Sequence, residues 1–222
     1  MPKDSKIILP EKKLILPKTR QKNSMNHVLT SAGRASLDSK IAATTLHLEY
    51  FFGHGVNFRD RIYQITGEIE FPAFDHLDAA LTEFEKENAR KTITIRINSP
   101  GGSVYEALAI IGRLRKSPCH IVTEAYGHVM SAATLILASG DRRKMSEFSW
   151  IMHHESSYVS EGRHSQNKAA VAQAEREEDA WAHWMGQLTG RPKAFWKQEG
   201  VSIDGYYDAV QALELGIIDE VF

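Results

Sequence analysis

The sequence predicts an α/β domain in which most strand pairs are parallel. From about residue 61, segments with strand-like patterns alternate with segments that have apolar residues at helical spacing. The stretch "TITIRIN" at 92–98 places an isoleucine at every second position, which is typical of a strand. Because strands and helices alternate along the chain, we expect parallel pairing with right-handed crossovers.

The predicted elements of the first half follow in order. They are a strand in 61–69, a helix from 74 to 88, the strand in 92–98, a turn and helix in 99–117, a strand in 119–125 that ends near Gly127, and a helix that follows Ser131 and stops at Gly140. Glycine directly after the last apolar residue of a helix is a common stop signal. The stretch "FSWIMHH" at 148–154 is a further strand candidate.

The second half is dominated by one long amphipathic helix, predicted over about 165–188. Its apolar stripe includes two tryptophans and is expected to face the core or another subunit. The stretch "TGRP" at 189–192 supplies a glycine stop and a proline. The last residues, 208–222, predict a short helix, a turn at Gly216 and a final strand.

The first 45 residues differ from the rest, so we expect two parts: a basic, flexible extension at 1–45 and a folded domain at 46–222. Lysine and arginine are crowded near the start, with Ser, Asn and Pro between short apolar patches. The patches "IILP" at 7–10 and "LILP" at 14–17 are candidate peptide anchors or edge strands, but each is too short to carry a fold.

The composition limits which partners and which compartment are expected. The chain has 222 residues, 42% of them hydrophobic, and a formal net charge of −1, so no global field favours nucleic acid or an anionic membrane as a partner. Its one cysteine, Cys119, cannot form an internal disulfide and is expected to be a core residue. No apolar run approaches the roughly 20 residues of a membrane span. We therefore expect a cytoplasmic protein without nucleic-acid or membrane partners.

Two strand-to-helix turns have the composition of a catalytic site. They are "NSPGGS" at 98–103 and "GHVMSA" at 127–132. In a parallel sheet both turns lie at the carboxyl ends of strands, where α/β proteins build their sites. The backbone N–H groups of Gly102 and Ala132 are then candidates to bind an oxygen that develops negative charge.

Ser131 is either a helix-start residue or a nucleophile. A serine hydroxyl needs a nearby base to attack at neutral pH. His153 and His154 lie 22 and 23 residues after Ser131, a spacing that fits one helix and one returning strand. Because successive strand side chains point to opposite faces, one histidine of the pair faces the serine, and sequence parity does not decide which. His128 lies on the entry turn and is expected at the surface.

A carboxylate that orients the histidine is harder to identify. Asp204, Asp208 and Asp219 lie near the C-terminus, and Asp204 is in a loop before a predicted helix. Spacing alone leaves Asp204 open between a catalytic role and a turn or cap role. Metal binding is not expected, since adjacent histidines on a strand diverge and no HExxH motif is present. The glycine-rich turn lacks the lysine of a phosphate-binding loop, so no cofactor is expected.

In combination these motifs resemble a known family. The stretches "INSPGGSVYEALAII", "GHVMSAATLILASG", "MHH" and "DGYYDAVQALELGIIDEVF" resemble, in order, the proteolytic subunit of the ATP-dependent Clp protease over about 61–222. The resemblance implies Ser131 as the nucleophile, His153 as the general base and Asp204 as the third triad member. It also implies that the amides of Gly102 and Ala132 form the oxyanion hole.

The resemblance carries further expectations. It implies a crotonase-like fold of repeated ββα units, a homo-oligomeric ring, typically two stacked heptamers, and an AAA+ unfoldase partner. The expected function is a serine endopeptidase that hydrolyses unfolded polypeptides through an acyl-enzyme. Alternatives are an inactive scaffold subunit of such a ring and a crotonase-type acyl-CoA enzyme. Three features depart from the family pattern: a shorter segment between Ser131 and His153, the absence of His-Gln-Pro, and Ile203 in place of an arginine.

Overall fold

The computed structural model describes residues 31–157, 159–199 and 204–222. The apolar patches at 7–10 and 14–17 and the residue Ile203 lie outside the described residues. A division into two compact units falls between Ile41 and Ala42. The division into an extension of 1–45 and a domain of 46–222 stays a prediction. The part of the extension that the structure describes, from residue 31, is helical and is treated below.

Within the described residues, helices and strands alternate as the sequence predicts. The helices are α1 Ser31–His54, α2 Ala73–Asn88, α3 Val104–Lys116, α4 Ala132–Ala138, α5 His164–Thr189, α6 Lys193–Gln198 and α7 Ala209–Glu214. The strands are β1 Val56–Asn57, β2 Ile62–Ile69, β3 Ile93–Gly102, β4 Ile121–Met130, β5 Arg142–Met145, β6 Trp150–His153, β7 Gly205–Tyr207 and β8 Glu220–Val221.

Most strand pairs are parallel, which confirms the predicted α/β class. The sheet has the order β1-β2-β3-β4-β5-β8, and β6 pairs with both β4 and β7. The pairs β2–β3, β3–β4, β4–β5, β4–β6 and β5–β8 are parallel, whereas β1–β2 and β6–β7 are antiparallel. The carboxyl ends of β3, β4 and β6 therefore meet at one edge of the sheet.

The core forms around the central strands. Ile93, Ile95 and Ile97 of β3 are fully buried, as their alternation with polar residues predicts. Leu77 and Leu81 on α2 pack in the same core cluster. Burial of these aliphatic side chains stabilises the sheet by about 1.5–3 kcal/mol per side chain, so the strand ends are held on a rigid base.

The two predicted turns before α3 and α4 are continuations of strands. β3 extends through Gly102, and β4 passes Gly127 and continues to Met130. The pairing of β3 with β4 shifts register after Ile97, and the Asn98 side chain accepts a hydrogen bond from the amide of His128 in this irregular part. Because the pairing is irregular here instead of ending in the predicted turn, β4 continues to Met130, directly before Ser131.

Several elements were not predicted from the sequence. α1 is helical from Ser31, so part of the extension expected to be flexible is a helix in the structure. Its apolar residues Leu37, Ile41 and Leu46 are exposed, and no apolar stripe marks the helix in the sequence. β5, β7 and α6 are three to six residues long, too short for a periodic pattern. No helix in the described part of the chain is long and apolar enough to span a membrane.

Candidate active site

Ser131 lies in a strained turn between β4 and α4. Its backbone has φ 54° and ψ −127°, a region that residues with a Cβ rarely adopt. The Ser131 amide donates to the Met152 carbonyl at 2.8 Å, and the Thr134 amide donates to the Ser131 carbonyl at 3.0 Å. A strained serine in a strand–turn–helix unit is the arrangement that exposes the nucleophile in α/β-hydrolases.

The side chain of Ser131 points to a histidine instead of capping the helix. α4 has no side-chain cap hydrogen bond from Ser131. The Ser131 Oγ lies 2.9 Å from His154 Nε2, within hydrogen-bond distance. The hydroxyl oxygen of a helix-capping serine would accept a hydrogen bond from a backbone amide of the first helical turn. The geometry therefore favours the nucleophile over the cap.

The structure places His154, and not His153, at Ser131. This corrects the expectation from the resemblance, which placed His153 there. On β6 the side chains of Ile151 and His153 are buried, whereas those of Met152 and His154 belong to the alternate set and are half-buried. A shift of one residue exchanges the two faces of a strand. The resemblance selected His153 because it directly follows the apolar residues Ile151 and Met152, and that match does not determine which histidine faces the serine.

His153 has an environment unlike that of a general base. Its ring is stacked on Trp181 with centroids 3.7 Å apart and planes 4° apart. The pKa of His153 is lowered to about 4, first by burial and then by the neighbouring His154, with a hydrogen bond to the Glu199 backbone acting in the opposite direction. An imidazole of this kind is neutral near pH 7 and is a poor acceptor for the serine proton.

The glycine turn of β3 packs directly against the serine turn. A Cβ on Gly101, which has φ 96°, would lie 2.7 Å from Ser131 Cβ and 3.1 Å from the Ala132 amide nitrogen. A Cβ on Gly102 would lie 2.3 Å from the Ile69 carbonyl oxygen. Only glycine fits at both positions, and the two turns can therefore approach each other closely.

Gly102 and Ala132, the expected oxyanion-hole residues, line the same cavity as Ser131. Ala132 is the first residue of α4, so its amide has no partner within the helix. The structure therefore brings both predicted amide positions to the serine. Their role as an oxyanion hole stays a prediction.

Asp204 directly precedes β7, and His154 directly follows β6, the antiparallel partner of β7. His153 is opposite Gly205, so a continuation of this register by one residue would bring Asp204 opposite His154. Residues directly opposite each other in such a pair have their side chains on the same face. Asp204 is exposed and has no hydrogen bond or ion pair to any described residue. It thus has no hydrogen bond to His154 in the structure.

The other two candidate aspartates are engaged elsewhere. Asp208 caps α7 by accepting a hydrogen bond from the Gln211 amide at 2.9 Å. Asp219 forms an ion pair with Arg143, and the hydrogen bond from Arg143 lowers the pKa of that carboxyl. Among the three aspartates considered from the sequence, Asp204 is the one placed beside the histidine pair.

A cavity of about 630 Å³ opens beside Ser131 and His154. Its apolar lining consists of Val104, Ala107, Leu108, Leu135, Met152, Trp181 and Trp196. Its carboxylates are Glu155, Glu175, Glu178, Asp179 and Glu199. The cavity therefore has the space and apolar surface for a substrate side chain next to the serine.

Sequence reasoning missed the environment of His153. Trp181 was expected on the stripe of the long helix, but its stacking on a histidine has no signal in the sequence. Glu199 accepts a hydrogen bond from the phenol of Tyr207, and burial together with this carboxylate raises the pKa of Tyr207. Cys119 is buried and accepts a contact from Arg61, consistent with a core residue. No group of three metal-ligating side chains is present in residues 31–157, 159–199 and 204–222.

Comparison with known proteins places the candidate site within the range matched by a family model. The model of the Clp protease family matches residues 54–222, a range that includes Ser131, His154 and Asp204. The chain is 29% identical over 165 residues to the ATP-dependent Clp protease proteolytic subunit 1 of Rhodopirellula baltica (strain DSM 10527 / NCIMB 13988 / SH1). The alignment covers 73% of this chain and 72% of that relative. The matched range agrees with the resemblance seen in the motifs from about residue 61.

Proposed function

Because the chain belongs to the Clp protease family, we propose that it is a serine peptidase that hydrolyses peptide bonds of unfolded polypeptides through an acyl-enzyme. The observation that carries the proposal is the 2.9 Å contact between Ser131 Oγ and His154 Nε2 in a strained strand–helix turn. A hydroxyl in that position has both exposure and a base within reach.

The mechanism begins with His154 as the general base. His154 Nε2 accepts the proton of Ser131 as Oγ attacks the carbonyl carbon of the scissile bond. The protonated imidazole then donates this proton to the leaving amine, and the acyl group stays on Ser131. Water attacks the acyl-enzyme in the second half, with His154 again accepting and returning a proton. No metal or nucleotide takes part in these steps.

Two groups of residues support this chemistry. The amides of Gly102 and Ala132 stabilise the oxyanion of each tetrahedral intermediate. Asp204 orients His154 and stabilises its protonated form once the carboxylate turns toward Nδ1, which has no hydrogen bond to a described residue. The register of β6 with β7 supports this role, because its continuation by one residue beyond His153 and Gly205 would bring His154 and Asp204 opposite each other.

Substrate and assembly follow from the family. We propose polypeptide substrates, a homo-oligomeric ring, typically of two stacked heptamers, and an AAA+ unfoldase partner in the cytoplasm. The relative described above is named as an ATP-dependent protease subunit, which supports a partner that consumes ATP. The cavity beside Ser131, with its apolar wall, supports binding of an extended peptide with an apolar side chain.

The direct test is hydrolysis of dye-labelled casein, a disordered polypeptide, by the purified oligomer. Ser131→Ala is expected to lower the rate by about 10³-fold or more, because the nucleophile and base act as a unit. Ser39→Ala, at an exposed serine of α1, is the matched control and should hydrolyse casein at the wild-type rate.

Other outcomes would contradict the proposal. Equal rates for wild type and Ser131→Ala would exclude Ser131 as the nucleophile. An assembled wild-type oligomer that hydrolyses neither casein nor a short fluorogenic peptide, which needs no unfoldase, would favour the scaffold subunit. Turnover of an acyl-CoA thioester that is insensitive to Ser131→Ala would favour the crotonase-type enzyme.

A further inference from the structure

The histidine next to the proposed base is held by two tryptophans. The ring of His153 is 6% exposed and lies flat on Trp181 of α5. The ring of Trp196 of α6 meets His153 edge-on, with centroids 6.4 Å apart and planes at 81°. Stacked and edge-to-face aromatic pairs have defined geometry, so this cluster fixes the orientation of the His153 ring.

The two tryptophans are themselves anchored. The Trp196 indole N–H donates to the Thr189 hydroxyl at 2.9 Å. Asp179, two residues before Trp181 on α5, forms ion pairs with Lys193 and Lys197 of α6 at 2.5 and 2.8 Å. α5 and α6 are thus tied together beside the cluster.

His153 also contacts the segments that lead to Asp204. It pairs with Gly205 on β7, and its side chain interacts with the backbone of Glu199. Glu199 and Asp204 flank the residues 200–203, which lie outside the described part of the chain. Through its backbone and its ring together, His153 therefore joins β6, which leads directly to His154, to the helix that carries Trp181 and to the segments on both sides of Asp204.

The buried imidazole is unsuited to proton transfer. Its Nδ1 is buried and has no hydrogen-bond partner among the described residues. An unpartnered buried nitrogen costs free energy that an apolar ring of the same shape would not. The ring is therefore expected to contribute through its flat shape and its packing.

We propose that His153 is a positioning residue: by stacking on Trp181 it fixes the end of β6, so that His154 projects toward Ser131 and Asp204 stays opposite His154. The inference rests on the proposed function, because its effect is measured as activity. It assigns adjacent histidines different roles, and it makes the packing of α5 on β6 a condition for the Ser131–His154 contact.

Two matched pairs of variants test the inference by kcat and KM for a fluorogenic peptide. His153→Phe keeps a flat ring against Trp181 and is expected to keep kcat within about threefold of wild type. His153→Ala removes the stack and is expected to lower kcat by about 10- to 100-fold, because displacement of a reacting group by about 1 Å lowers the rate by up to about that factor. Trp181 also lines the cavity, so its two variants are compared with each other: Trp181→Ala should lower kcat more than Trp181→Phe does, whereas KM can rise in both. The apparent pKa of the acid limb of kcat/KM should be unchanged in His153→Phe.

The outcomes separate this inference from the proposed function. If wild type hydrolyses the peptide and Ser131→Ala does not, the function holds whatever the His153 variants do. A folded His153→Phe oligomer that has lost activity would overturn the inference, since the imidazole itself would then be needed. His153→Ala at the wild-type kcat would also overturn it. If His153→Ala does not fold, His153→Phe and the two Trp181 variants decide the question.

Discussion

The two sides of the candidate site are built in different ways. On the serine side, the turns after β3 and β4 are fixed by the backbone: Ser131 has a strained φ, and Gly101 leaves no room for a Cβ. On the histidine side, the ends of β6 and β7 are fixed by strand register and by the stack of His153 on Trp181. The nucleophile is therefore placed by local chain geometry, and the base is placed by packing between distant segments.

The difference indicates which part of the site should tolerate substitution. Met152 links the two sides, because its carbonyl accepts from the Ser131 amide and from the Thr134 hydroxyl. His154 follows two residues later and reaches the serine from that anchor. Asp204, in contrast, has an exposed side chain without a described partner. Changes near Ser131 should thus have larger effects than changes at Asp204.

Removal of the proposed base should have the largest effect. His154→Gln should lower kcat for a fluorogenic peptide by about 10³-fold or more, because among the described residues no other side chain forms a hydrogen bond with Ser131 Oγ. His183→Gln, at an exposed histidine of α5, is the matched control and should leave kcat unchanged. A His154→Gln enzyme with wild-type kcat would show that the base lies elsewhere.

A methyl group on the serine side should have the next largest effect. Gly101→Ala places a Cβ 2.6 Å from the Met130 carbonyl oxygen and 2.7 Å from Ser131 Cβ, so the turn must shift. We expect kcat to fall by about 100-fold, as for other displacements of reacting groups by about 1 Å. Gly112→Ala on α3 is the control, because a Cβ there meets nothing within 4 Å. Equal kcat for both variants would show that the Gly101 turn does not position the serine.

Loss of the carboxylate at Asp204 should have a smaller effect. Asp204→Asn should lower kcat by about 10- to 100-fold, less than for a buried triad aspartate, because solvent weakens its interaction with the imidazolium. Asp75→Asn, at an exposed aspartate of α2, is the matched control. If kcat of Asp204→Asn equals that of wild type in the assembled oligomer, another group orients His154.

The smallest effect is on stability. The free energy of unfolding should depend on pH through the titration of His153. The folded pKa of about 4 lies below the ordinary value of 6.5, so the unfolded chain binds more protons between these values. Stability from this group is present above about pH 6.5 and is lost as the pH falls toward 4. The free energy of unfolding of wild type should therefore drop by about 2 kcal/mol between pH 7 and pH 5 from this residue.

His153→Phe removes that titration. Urea unfolding at pH 7 and pH 5 should show a smaller loss of stability for the variant than for wild type. A loss as large in His153→Phe as in wild type would show that other groups carry the pH dependence.

The serine side could be predicted from the sequence because its signals are local. Two glycines before a helix and a serine at the next strand–helix junction are adjacent residues whose conformations depend on each other. The long helix at 164–189 was likewise predicted because its apolar stripe repeats over several turns. Local pattern was sufficient in both cases.

The histidine side could not be resolved in the same way. The choice between His153 and His154 depends on the register of β6 with β4 and β7, which is set by contacts more than twenty residues away along the chain. The helix α1 was missed because its apolar residues are exposed and do not form a stripe. The stack of His153 on Trp181 joins two segments that no sequence motif connects.

The measurement that tests the central claim most directly is labelling of the folded oligomer with a fluorophosphonate probe, with the modified residue identified by mass spectrometry. The account predicts modification at Ser131 in wild type, no modification in Ser131→Ala, and labelling slowed by about 10³-fold in His154→Gln but near the wild-type rate in His153→Phe. Labelling that needs His153 and not His154, or no labelling of Ser131 in an assembled oligomer, would contradict the assignment of Ser131 and His154 as nucleophile and base.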